Sequence, residues 1–112
     1  MSSDIEWAAD FLKSNAPIMG WPEGPWHRQA GFEACQNVIK AAWAAGPKAH
    51  RLAAIAFGHV RRAQKAVLRM VYAQHDTESV AWDQAMLDLQ SAAIMAEPAM
   101  IALAEELEAQ LL

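Results

Sequence analysis

Four histidines, one cysteine and a handful of serines are the residues of this 112-residue chain most able to do chemistry. His27, His50, His59 and His75 never fall three or four positions apart. Two imidazoles on one helix reach the same metal ion only at that spacing, and neither H-E-x-x-H nor Glu-x-x-His occurs. His59 therefore reads as a packed structural histidine, and no metal is expected. Cys35 falls on the apolar side of a helix, where burial would raise its thiol and leave it unreactive. Ser2, Ser3, Ser14, Ser79 and Ser91 fall at caps or on helix surfaces, and no nucleophile elbow, P-loop or dinucleotide fingerprint is present. The chain is expected to be no enzyme and to take no cofactor.

Charge is the more informative signal. The net charge is −4, with 9 basic and 13 acidic residues. All bases but Lys13 and Arg28 lie between positions 34 and 75, a stretch without a single acid. Positions 76–112 carry only acids: Asp76, Glu78, Asp83, Asp88, Glu97, Glu105, Glu106 and Glu108. At about 100° per residue, Arg51, Arg62, Lys65 and Arg69 gather on one side of a helix, with Gly58 among them. Several cations in a row suit phosphate contacts, so nucleic acid is one candidate partner. The plainer reading is a solvated face paired with acids of the next helix. In an antiparallel hairpin Arg69 would stand level with Asp83, Arg62 with Asp88 and Arg51 with Glu97. No aromatic residue interleaves the stripe and the overall charge is negative, so nucleic acid ranks second to protein.

Trp7, Trp21, Trp26, Trp43 and Trp82 are many tryptophans for this length. Most read as core anchors. Trp21 and Trp26 differ, because they flank Pro22-Glu23-Gly24-Pro25, and tryptophan displayed beside proline suits a contact hot spot.

These residues must be carried by helices, since no alternating strand pattern occurs. Ser3 and Glu6 form a capping-box pattern opening a first helix over about 4–14. Its stripe is Ile5, Ala8, Ala9 and Leu12, with Trp7 and Phe11 stacked beside it. A loop rich in Pro, Gly and Trp follows, over about 15–25. A second helix starts at Pro25 and ends near Ala45, burying Phe32, Cys35, Ile39, Ala42 and Trp43. Gly46 turns the chain directly into a third helix at Pro47, running to about 74, with a seam of Ala49, Ala53, Ala56, Val60, Ala63, Val67 and Val71. A fourth begins at Asp76 or Thr77 and is apolar on two sides: Val80, Leu87 and Ile94 on one, Trp82, Leu89, Ala93 and Ala96 on the other. Pro98 is expected to break it and to open a fifth helix, whose stripe is Met100, Leu103, Leu107 and Leu111.

The expected architecture is all-α: one domain over residues 1–112, an antiparallel four- to five-helix bundle with the Pro/Gly/Trp-rich loop between helices 1 and 2. A 54% hydrophobic, 20% charged composition is ample for a core. The first six residues lack the pattern of a secretory signal, and one cysteine suits a reducing compartment, so cytoplasm is expected. Uncharged stretches fall short of the roughly 18 apolar residues that span a bilayer, so no membrane partner is expected. The functional expectation is a small adaptor or inhibitor-type interaction module. It would bind a protein partner and self-associate through Trp21, Trp26, the Arg51, Arg62, Lys65, Arg69 stripe, and Leu107 and Leu111. Nucleic-acid binding through helix 3 is the alternative.

Overall fold

A computed structural model describes residues 2–15, 29–73 and 79–112. Among them the chain forms four helices and no strand: α1 (Ser2–Asn15), α2 (Gln29–Ala45), α3 (Pro47–Ala73) and α4 (Ser79–Ala109). Trp21, Trp26, the Pro/Gly-rich loop and the caps proposed at Pro25, Asp76 and Thr77 lie outside the described residues.

In α1, Ala8, Ala9 and Leu12 are buried, as their shared stripe requires. Trp7 and Phe11 stack at 5.3 Å, one turn apart. In α2 the buried line is Cys35, Val38, Ala41 and Ala42. Trp43, expected in the core, is 65% exposed. Its indole instead meets the His50 ring edge-on at 5.1 Å, across the turn. Gly46 makes that turn with φ of 117°, a left-handed value that favours glycine. Its carbonyl accepts from the His50 N–H at 3.0 Å, starting α3 as α2 ends. Pro47 follows as the first residue of α3, where its missing donor costs nothing.

The buried residues of α3 step by four and three in strict alternation: Ala49, Ala53, Ala56, Val60, Ala63, Val67, Met70. The seam therefore keeps a seven-residue repeat and ends on Met70, while Val71, expected to close it, is half exposed.

On α4 the buried line is Ala85, Leu89, Ala92, Ala96, Met100, Leu103 and Leu107. It takes two four-residue steps in succession around Pro98, an interruption of the heptad. The expected break does not occur: α4 passes through Pro98 as one helix of 31 residues, so there is no separate fifth helix among the described residues. An interior proline costs about 3 kcal/mol through one lost hydrogen bond and ring crowding. Fully burying Met100, Leu103 and Leu107 contributes roughly 1.5–3 kcal/mol each, which outweighs it. Pro98 is also on the exposed side, where water can serve the carbonyl that loses its donor.

Helices α3 and α4 run antiparallel. Lys48 near the start of α3 pairs with Glu106 near the end of α4 at 3.3 Å, and Arg69 pairs with Asp88 at the other end. This register differs from the expected one, in which Arg69 faced Asp83 and Arg62 faced Asp88. The small seam residues are interchangeable enough in shape that pattern alone left the slide between the helices open by more than a turn. Lys13 pairs with Glu108, tying α1 to the end of α4. That carboxylate holds the Lys13 ammonium above its ordinary value.

Buried residues fall into two clusters. The larger joins all four helices, with Ala49–Val60 of α3 and Ala96–Leu107 of α4 meeting Leu12 of α1 and Val38 of α2. The smaller holds residues of α3 and α4 alone: Ala63, Ala66, Val67, Met70, Ala85, Leu89 and Ala92. The molecule, 54 × 22 × 20 Å, is thus a four-helix base extended by a two-helix arm.

Candidate interaction surfaces

Three surfaces could meet a ligand. The first is a cleft of about 740 Å³ between α1, α2 and the end of α4, walled by Asp4, Trp7, Asn37, Lys40, Gln110 and Leu111. Its described lining holds no thiol, imidazole or hydroxyl, so it offers one carboxylate and one ammonium but no nucleophile. Cys35 is buried, and loss of hydration pushes its thiol up to about 12. A thiol so raised is protonated at neutral pH and is packing material. No group of three or more metal-ligating side chains gathers among the described residues.

The second surface is the basic stripe. Arg51, Arg62, Lys65 and Arg69 are all exposed, as the helical spacing implied. Arg62, Lys65 and Arg69 surround one shallow surface cavity with Leu68 and Asp88, while Arg51 stands about 16 Å away along the helix axis. Among the described residues Arg69 alone of the four meets a carboxylate. Gly58 faces open space, with nothing within 4 Å of where a Cβ would stand.

The third surface is the outer face of α4. The two-sided apolar pattern of this helix resolves into one buried side and one solvent side. Leu89 and Ala96 are core, whereas Val80, Leu87 and Ile94 are 60%, 65% and 71% exposed. Ile101, partly exposed, continues the line at the same seven-residue interval. On α3, Leu68, Val71 and Tyr72 also stand outside the core. Comparison with protein-family models, curated proteins and solved structures finds no match to the chain. Function therefore has to be argued from these surfaces.

Two sequence-derived contact residues change standing. Leu107 is fully buried in the chain's own core, so its side chain is no contact surface. It had read as surface because a helix ended at Pro98 would have been free to dock elsewhere. Leu111 is 37% exposed and borders the cleft. Sequence reasoning missed Leu68, Tyr72, Arg61 and Ile101, although the repeat Val80, Leu87, Ile94, Ile101 was readable as a heptad line.

The unbroken α4 is also long and apolar enough to cross a membrane by length and composition, with 28% of that stretch buried inside the fold. Its apolar character has two sources, the core side shared with α3 and the solvent-side line. Asp88 and Glu97 interrupt it, and every charge on described α4 is acidic.

Proposed function

We propose that this chain is a non-catalytic helical interaction module, an antiparallel four-helix bundle that presents an apolar docking face to protein and self-associates. The observation that carries the reading is the solvent-side line of Val80, Leu87 and Ile94, each more than half exposed. Single exposed leucines need no explanation, but apolar residues repeated at heptad spacing along one helix face are the pattern of a helix seam awaiting a partner. Depletion of pocket chemistry supports the same reading, since the largest cleft lacks a nucleophile and the only cysteine is buried.

Carbene footprinting of α4 tests it. Val80, Leu87 and Ile94 are expected to label strongly in dilute purified protein, and to be protected in concentrated protein or in lysate of the source. Strong labelling under all three conditions would remove the docking face.

A second reading, nucleic-acid binding through α3, is favoured by Arg51, Arg62 and Lys65 being exposed and free of carboxylate partners among the described residues. Asp88 within the same cluster repels phosphate and places it second. Binding to duplex DNA at two salt concentrations should then fall steeply with salt and weaken in Arg62→Ala and Lys65→Ala.

A further inference from the structure

We infer that the occupant of the arm's open face is the arm of a second copy, the two α3–α4 hairpins packing as an isologous four-helix unit. This rests on the docking reading above and names its partner. In the base, α2 covers the side of α3 that carries His50 and Phe57, with Ile39 reaching into the same crevice. At seven-residue intervals that line of α3 continues through Gln64 to Val71. There the described residues of α1 and α2 contribute nothing to the buried cluster, and Val71 is half exposed. On α4, the exposed line Val80, Leu87, Ile94 runs beside it on the same flank of the hairpin. The arm is thus a two-helix version of the base, missing its second layer.

Charge says what supplies that layer. Beside Leu68 and Val71, α3 offers Arg61 and Lys65, neither meeting a carboxylate among the described residues. Beside Val80, Leu87 and Ile94, α4 offers Asp83 and Glu97, equally free of cations. A two-fold axis between two arms sets the basic helix of each copy against the acidic helix of the other, giving the complementarity twice over. A lipid surface fits less well. Helices that lie on membranes carry lysine and arginine along their polar edge, whereas the described residues of α4 carry none.

The test uses the full-length chain and two charge-reversed variants. Arg61→Glu/Lys65→Glu makes both helices of the arm acidic; Asp83→Lys/Glu97→Lys makes both basic. All four positions are exposed, so circular dichroism and melting should confirm that both variants fold. Light scattering on a sizing column should give a dimer for the unmodified chain, and monomers for each variant alone. Equimolar mixing should restore a dimer, at least 10-fold tighter than either variant's self-association. Leu87→Glu should likewise weaken the unmodified dimer 10-fold or more. A monomeric unmodified chain at high concentration would overturn the inference, as would variants that dimerise unaided or fail to recombine. Binding of the monomer to phosphatidylcholine vesicles would give the face to lipid instead. The docking reading survives a monomeric result if Leu87 is still protected from labelling in lysate, so the two failures are distinguishable.

Discussion

The Arg69 guanidinium donates to the Asp88 carboxylate across the α3–α4 seam, fixing which turn of one helix faces which turn of the other along the arm. Both side chains are half exposed, so screening by water keeps the net worth of the pair small. Asp88→Asn is expected to cost no more than about 1 kcal/mol in urea unfolding at low salt, and nothing measurable in 1 M salt. A loss of several kcal/mol would mean that the pair decides the fold and not only its register.

Pro98 sits inside α4 with its ring on the solvent side. Alanine there would restore one backbone hydrogen bond to Ile94 and relieve the crowding of the turn. Pro98→Ala should stabilise the chain by roughly 1–3 kcal/mol, read as a higher urea midpoint at unchanged slope. A lower midpoint would show that the core is fitted to the irregularity proline introduces.

Two glycines should respond in opposite directions. Gly46 has a left-handed backbone, so Gly46→Ala is expected to destabilise by about 1 kcal/mol. Gly58 is helical with open space where a Cβ would go, so Gly58→Ala should stabilise by roughly 0.5–1 kcal/mol. Thermal melts of the two variants give the comparison directly.

Alkaline pH should weaken the fold through Cys35. Its thiol keeps its proton up to about 12 in the folded chain, against a model value of 9.0. Above pH 9 the unfolded chain therefore binds fewer protons than the folded one. The contribution is fully present below about pH 9 and is lost as pH rises toward 12, by up to about 1.4 kcal/mol per unit. Urea titrations at about pH 8 and about pH 10.5 should show a fall that Cys35→Ala reduces; equal falls in both proteins would place the thiol outside the core.

Much of this fold can be read before any coordinates. Helical spacing alone identifies the Ala49-to-Val67 seam, the stacked Trp7–Phe11 pair and the turn at Gly46–Pro47, because each depends on local geometry. What escapes is set by tertiary competition. Proline's local cost predicted a break at Pro98, but the apolar burial on either side of it is larger. Trp43 promised the greatest buried area on α2, yet a core lined by alanines leaves no room for an indole, and Val38 takes the space. The side-by-side placement of the α3 and α4 surfaces, with Leu68 and Val71 near Val80 and Leu87, needed the true register, which charge pairing misjudged by five residues at Arg69.

The division of buried side chains into two clusters bears on how the molecule comes apart. Alanine supplies most of the cluster shared by α3 and α4 alone, and each alanine removes little apolar area from water. Amide protons around Val67 and Leu89 should thus exchange with solvent deuterium well before those around Val60 and Leu103, so that the thin end frays while the thick end stays closed.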